Sequence, residues 1–401
     1  MTRCDVVVLG AGPAGSAAAA VLAHRGLAVH VLERARFPRF HIGESLLPMT
    51  LCALDELGIA LDPDEHQHKA GARFLDETTG QTQTYWFSDT LPGTPDHAYH
   101  VVRSRFDAIL ADHAAACGAR IEFGVRARAV EVGPDGVRVE TEGTCGPIEA
   151  RYLVDATGQQ ALLARRNRTL VKIGDFGRAA AFVHYEGLSD AARAEIEPHG
   201  NIQILRTPTG WIWAIPLAGR RLSVGIVAKE GPVTRDDVRA AVASSPLLTR
   251  WTEGARPGEP VLVGDYSFLN RAPHGPRFTC VGDAACFLDP VFSSGVTLAL
   301  LGARRAAERI ADAFERGDEA DPALLAPHAE HMKRAYQAFY LLIHRFYHTA
   351  IFENLFFSVD PDPAMRRGLV TMLAGDVWRD DNVFQNLLFA SRHAGAARLI
   401  V

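Results

Sequence analysis

Cysteine is scarce in this chain, six in 401 residues, and Cys4, Cys52, Cys117, Cys145, Cys280 and Cys286 are scattered with no Cys-x-x-Cys pair. That scatter leaves out zinc-ribbon and redox-dithiol motifs and predicts reduced thiols in a cytoplasmic protein. Positive charge is not in excess: 42 Lys and Arg against 47 Asp and Glu give a net charge of −5, which argues against nucleic acid as a partner. No apolar run is long enough to span a bilayer. The first one, Val6 to Leu9, is also too short for a secretory signal and is preceded by Asp5. Internal repeats and low-complexity linkers are lacking too. What remains, at 48% hydrophobic and 22% charged residues, is the composition of a globular enzyme with length for two or three domains.

Against these absences one pattern stands out near the start. Asp5 to Leu9 is β-branched and apolar, a buried strand, and it runs into Gly10-Ala11-Gly12-Pro13-Ala14-Gly15 and an alanine-rich helix to about Ala23. A second strand, Gly26 to Glu33, ends in an acid eighteen residues beyond Gly15. Each part has a physical task. Gly10 makes the tight turn, Gly12 lets backbone approach a pyrophosphate, and Gly15 lets helix and strand pack closely. The helix N-terminus offers free N–H groups to phosphates. Glu33 accepts hydrogen bonds from a ribose and would repel an NADP 2′-phosphate. A lone glycine turn is weak evidence, whereas strand, glycines, helix, strand and acid in register predict a dinucleotide site.

Two distant segments point to FAD. Tyr152 to Gly158 reads as a strand closing on a small-residue turn, with Asp155 and Gly158 at its end. Thr279 to Ala285 reads as another strand, ending where Asp283 could hold a ribityl hydroxyl. With these, the chain resembles FAD-dependent oxidoreductases of the aromatic-hydroxylase type. Arg103, in Arg103-Ser104-Arg105-Phe106-Asp107, matches that family's arginine contact to the cofactor, while Arg105 and Asp107 read equally well as a helix-start salt bridge. No second Gly-x-Gly-x-x-Gly is present, so no tightly held nicotinamide site is expected.

The fold expected is α/β, with nucleotide-domain segments at 1–75, 100–170 and 262–315. An antiparallel substrate sheet at 76–99 and 171–261 is interleaved with them, and a helical region follows at 316–401. Short strands Asn201 to Arg206, Trp211 to Leu217 and Arg221 to Ala228, separated by Pro-Thr-Gly and Ala-Gly-Arg turns, predict the sheet as a meander. Leu298 to Phe314 reads as a helix.

Four further motifs carry chemistry: Phe37 to Pro48, containing Gly43-Glu44-Ser45; His68-Lys69-Ala70-Gly71-Ala72-Arg73-Phe74; Gly210-Trp211-Ile212-Trp213-Ala214-Ile215-Pro216; and Phe287 to Gly295, leading into a helix. Together they resemble flavin-dependent halogenases over nearly the whole chain, including Leu373 to Arg379. The resemblance implies FADH2, O2 and chloride or bromide as reactants. A flavin C4a-hydroperoxide yields hypohalous acid, which travels along a tunnel to a catalytic lysine, here Lys69. It implies cofactor contacts from Gly10, Gly12, Ala14, Gly15, Glu33, Arg34, Ser45, Arg103, Asp155, Gly158, Asp283, Pro290 and Gly295. It implies a separate NAD(P)H-dependent flavin reductase as partner, and a place in secondary metabolism such as antibiotic biosynthesis. A lysine without context is a solvated surface charge, and its setting in Lys-x-Gly-Ala-x-Phe reverses that reading.

Backbone N–H groups of Ser294 and Gly295, at a helix N-terminus, can hold the halide; a plain serine N-cap is the simpler account, and both can hold. Trp211 and Trp213, two apart on a strand, share a face; with Pro216, Phe292 and Ser293 they are expected to line the site, and strand-core packing is the equal alternative. Tryptophan-specific halogenases carry a glutamate where this chain has Phe292, which favours a phenol or pyrrole, free or carrier-tethered, as the ring halogenated. Tyr336, Phe339, Tyr340, Ile343, Phe346 and Tyr347 recur at helical spacing and predict a helix packed on the body, with a substrate lid as the sharper alternative. His68, His344 and His348 lack a completing carboxylate or cysteine, so no metal is expected. Two competing readings remain on the same fold: a flavin monooxygenase or prenyl-chain reductase, and a flavin-binding scaffold without turnover.

Overall fold

The computed structural model describes residues 2–143, 145–174, 176, 179–207, 210–229, 231–264, 266–348 and 362–391. Val6, Val7 and Val8 are fully buried in the strand Thr2–Leu9, which explains their uninterrupted apolar run: a parallel strand is covered on both faces. It lies between Ile148–Asp155 and Val29–Glu33, both parallel to it, and the sheet extends to Phe278–Cys280 on one side and Arg120–Phe123 on the other. A hairpin, Arg126–Gly133 with Gly136–Glu142, joins antiparallel to Ile148–Asp155. The helices Pro13–His24, Arg103–Ala116 and Ser294–Arg316 pack on one face through alanine-rich surfaces.

The second sheet contains the expected meander: Ile202–Thr207, Gly210–Leu217 and Arg221–Ala228 pair antiparallel in sequence, and Ala179–Glu186 follows. Side chains alternate across it with period two. Trp211, Trp213 and Ile215 face one core, beneath the helix Ala326–His348, while Ile212 and Ala214 face another, covered by Arg235–Ser244 and Pro246–Thr252. Pro208 and Thr209, of the expected turn, lie outside the described residues, as do 349–361 and 392–401 of the C-terminal region. Its described helices are Ala326–His348, Pro363–Leu373 and Val383–Ala390.

Three local expectations change. The strand expected over Thr279 to Ala285 is only Phe278–Cys280; a short 3-10 turn, Gly282–Ala284, takes over because Gly282 adopts φ +59°. Gly71–Asp76, read with the nucleotide segment 1–75, is a strand of the second sheet. It pairs there with Gln81–Trp86 and runs parallel to Ile202–Thr207, so that sheet is not wholly antiparallel. The long helix begins at Ser294 rather than Leu298 and runs to Arg316.

Candidate active site

The glycine turn has the geometry that a dinucleotide requires. Gly10 sits at φ +102°, and a methyl there would lie 2.4 Å from the Ala156 carbonyl oxygen. A methyl on Gly15 would lie 1.9 Å from the Gly10 oxygen, whereas at Gly12 the nearest atom is Arg39 Nη2 at 3.5 Å. The chain itself therefore demands two of the glycines, and the third faces open room in front of the Pro13–His24 N-terminus. That is the cradle a pyrophosphate fills. Glu33 is buried beside it, accepting the Ala11 N–H at 2.9 Å and the Ala35 N–H at 2.9 Å. Ala14 is buried in the first helical turn and Arg34 is exposed next to Glu33. Asp283 accepts a hydrogen bond from Gln159 Nε2 at 3.0 Å, and burial raises its carboxyl pKa. These residues fit FAD.

Other residues expected at the cofactor are committed to the chain itself. Asp155 is fully buried: one oxygen accepts Thr157 N–H and Oγ1–H at 3.0 and 2.6 Å, the other accepts Leu163 N–H at 2.8 Å. It shapes the turn at Gly158, which sits at φ +60°. Arg103 donates to Asp107 at 2.8 and 3.0 Å and to the carbonyls of Ile42 at 2.6 Å and Gly43 at 3.3 Å, so it pins the 42–43 segment. Arg39 joins the same Asp107 at 3.0 Å, while Arg105 pairs at the surface with Glu65.

Lys69 ends the strand Gln67–Lys69, opposite Ala98 of Ala98–His100. Ser45 and Leu46 bond to that same strand, Ser45 bridging His100 and Leu46 N–H donating to Tyr99. A lysine and a serine 24 residues apart thus meet. Lys69 Nζ, 1% exposed, donates to Ser45 Oγ at 2.9 Å and to the Leu46 carbonyl at 2.8 Å, and lies 5.2 Å from the Phe87 ring centre. Among the described residues no carboxylate forms an ion pair with it. Burial without a counter-charge pulls its pKa from 10.5 to about 7, which makes the neutral amine available near neutrality. Neighbouring His100, bonded through Nε2 to the Gly200 carbonyl at 2.7 Å, is held neutral by burial and then by the Lys69 charge.

The loop 289–295 closes the other side. Asp289 accepts the Val291 N–H at 3.0 Å and starts the turn Pro290–Phe292. Ser293, at φ +57°, is the helix cap and makes no side-chain cap bond, so the expected serine cap is displaced by one residue and lacks its hydrogen bond. Ser294 and Gly295 form the first turn, with no side-chain acceptor on their N–H groups among the described residues, and a methyl on Gly295 would meet the Phe287 ring at 3.2 Å and Asp283 Oδ1 at 4.0 Å. Gly282, Asp289, Ser294, Gly295 and Tyr336 line one cavity.

The tryptophans are buried, 2% and 4% exposed, with ring centres 5.8 Å apart. Trp213 lies over Gly225, where any side chain would collide with its ring. Trp211 Nε1–H donates to the Tyr347 hydroxyl at 2.7 Å, and that hydroxyl donates to Asp289 Oδ2 at 3.0 Å. Pro216 is buried on the same strand, and Phe292 meets Phe346 edge-on at 5.7 Å. Gln159 and His184 were not singled out from sequence, nor were the pairings Tyr347–Asp289, Gln159–Asp283 and Glu44–His184, the last 2.7 Å apart, whose members lie 58 to 140 residues from each other. His68 stacks on His97, and the His344 and His348 rings lie tilted with centres 4.8 Å apart. Among the described residues His30, Glu122 and Cys145 come close enough to share a cation, with Glu122 already engaged by Arg120.

Comparison with known proteins follows the same lines. The family model described as FAD binding domain matches residues 3–339. The chain is 33% identical over 356 residues to the tryptophan 2-halogenase of Chondromyces crocatus, covering 84% of this chain and 65% of that enzyme, under two thirds of its length. To the 1H-pyrrole-2-carbonyl-(peptidyl-carrier protein) chlorinase of Pseudomonas fluorescens it is 31% identical over 408 residues, covering 93% and 89%. The solved structure of the flavin-dependent brominase Bmp2 superposes with a TM-score of 0.85 at 25% identity, covering 98% of this chain and 99% of that one.

Proposed function

Because this chain belongs to the flavin-dependent halogenase family, we propose that it halogenates an electron-rich phenolic or pyrrolic ring, free or carrier-tethered, with Lys69 as the catalytic residue. The observation that carries this reading is a lysine 1% exposed, without a carboxylate partner among the described residues, whose amine titrates near neutrality. Burying an ammonium without a counter-charge opposes folding, which supports a chemical task for it beyond its two hydrogen bonds. Reduced flavin bound at the glycine turn, with oxygen and halide, supplies halogen as hypohalous acid. Ser294 and Gly295 N–H groups hold the halide at the helix N-terminus.

The neutral Lys69 amine attacks the halogen of hypohalous acid: an N–X bond forms, the X–O bond breaks, and hydroxide takes the amine proton and leaves as water. The aromatic carbon then takes the halogen, and the ring proton it gives up restores the amine. Ser45 Oγ and the Leu46 carbonyl hold the nitrogen in place. Because the amine is neutral above about pH 7, this route strengthens as pH rises through that value. Phe292 stands where tryptophan-specific members carry glutamate, which supports an already activated ring over free tryptophan.

The test combines purified chain, a separate flavin reductase, NADH and bromide with a panel of phenols, pyrroles, carrier-tethered aryl acids and free tryptophan. A bromine isotope pair in the product, reduced at least about a hundredfold in Lys69→Ala, is expected. Hydroxylated or reduced product indifferent to that substitution sinks the proposal and favours the monooxygenase or reductase reading. FADH2 oxidation with no product favours the scaffold.

A further inference from the structure

The hydrogen-bond chain Trp211–Tyr347–Asp289 joins three parts of the molecule. Trp211 belongs to the central strand of the second sheet, Tyr347 to the last turn of the helix Ala326–His348, and Asp289 to the loop that precedes the halide site assigned above. The Trp211 N–H donates to the Tyr347 oxygen at 2.7 Å, which polarises the hydroxyl that donates to Asp289 Oδ2 at 3.0 Å. The other Asp289 oxygen accepts from Val291 N–H, so one carboxylate ends the tie and begins the turn Pro290–Phe292. After that turn the chain reverses through Ser293 in the left-handed region and presents Ser294 and Gly295.

Three further contacts fix the arrangement. Lys229 Nζ donates to the Tyr347 carbonyl at 2.9 Å, holding the helix end to the sheet. Phe346, one residue back, contacts both the Trp211 ring and the Phe292 ring. The helix end therefore clamps the loop at both edges of its turn. Asp289 is 2% exposed, and Tyr347 ionises only far above its usual range because of burial and the nearby carboxylate, so the phenol keeps its proton and remains the donor.

We infer that Tyr347 is a positioning residue for the halide site. Its hydroxyl, oriented by Trp211, holds Asp289 so that the loop aims the Ser294 and Gly295 N–H groups at one point. This rests on the halogenase reading. It also gives the first tryptophan of the pair a task, donating to Tyr347, that core packing alone does not require.

Tyr347→Phe removes one oxygen and keeps the ring, so packing with Phe346 and Phe176 persists. The expected result is a bromide KM raised about fivefold, the factor of one ordinary hydrogen bond. A larger share of oxidised FADH2 should appear as hydrogen peroxide, with kcat at saturating bromide nearly unchanged. Trp211→Phe removes the donor on the far side and should reproduce the direction, and the double variant should be no worse than the more severe single one. FAD affinity and thermal unfolding are measured on each chain. Bromide KM and peroxide yield equal to the unsubstituted protein in a folded Tyr347→Phe chain overturn the inference and leave Tyr347 as packing. If Tyr347→Phe does not fold, Trp211→Phe decides alone on the same two readouts. Failure of the unsubstituted chain to brominate any member of the panel overturns the halogenase reading instead, so the two failures separate.

Discussion

Lys69 has an energetic signature apart from chemistry. Lowering its pKa from 10.5 to about 7 means the unfolded chain binds a proton that the folded chain gives up between those two values. The burial therefore costs most at and below pH 7, on the order of a few kcal/mol, and nothing above pH 10.5. Stability should rise as pH climbs through that window, and Lys69→Met should unfold at a higher temperature than the unsubstituted chain near pH 7. The gain is on the order of 2 kcal/mol once the two lost hydrogen bonds are allowed for, and it shrinks toward pH 10. Thermal unfolding at about pH 7 and about pH 9.5 checks this; a destabilised Lys69→Met chain at neutral pH would mean that the hydrogen bonds of the amine outweigh the cost of burying it.

At the scale of elements, the glycine turn makes a sharp claim. A methyl on Gly15 would sit 1.9 Å from the Gly10 carbonyl, so Gly15→Ala must push helix from strand; the same change at Gly12 meets nothing closer than 3.5 Å of protein. Gly15→Ala is expected to lower FAD affinity at least tenfold and lower the unfolding temperature, whereas Gly12→Ala should weaken FAD with the apoprotein as stable as before. Equal apoprotein unfolding temperatures in the two variants would contradict this, with FAD binding followed by flavin fluorescence. This turn was legible in the sequence because every part of it is local: strand, turn, helix and acid fall within 33 residues. Trp211 and Trp213 sharing a face was legible too, since period two settles it. What was not legible depends on distant pairing. Gly71–Asp76 looks like any short strand, and it joins the second sheet only because Ile202–Thr207 lies beside it. Asp155 and Ser45 sit in motifs whose resemblance implies cofactor contact, yet the side chains turn to Thr157, Leu163 and Lys69. Tyr347 was visible as one of a helical stripe of aromatics, while its pairing with Trp211 and Asp289 was not.

For the whole molecule, the segment before Ser45 is fastened to the second sheet by a pair that no local pattern announces. Glu44, 3% exposed, is hydrogen-bonded through Oε1 with His184 Nε2 at 2.7 Å, and Phe40 stacks on Phe182 at 5.8 Å. Glu44 Oε2 is buried with no hydrogen-bond partner among the described residues. Removing the histidine leaves a nearly buried carboxyl without its contact, so His184→Ala should cost about 1–3 kcal/mol. The expected sign of that loss is faster amide exchange over residues 39–46 at unchanged rates in Thr2–Leu9; uniform acceleration through both would show that the pair stabilises the molecule generally and fastens nothing in particular.

The interleaving of the two sheets reaches beyond the folded state into biosynthesis. Thr2 faces Ile148 and Leu153 faces Phe278 in the central parallel sheet, so strands that lie side by side are made more than a hundred residues apart. Closing such loops costs entropy before any contact repays it, and such topologies fold slowly. The glycine turn is made well before its neighbour on one side, Ile148–Asp155, and Asp283 comes later still. A nascent chain therefore carries the apolar run Val6 to Val8 uncovered until Ile148–Asp155 is made, and the central sheet closes only when synthesis has passed both crossings.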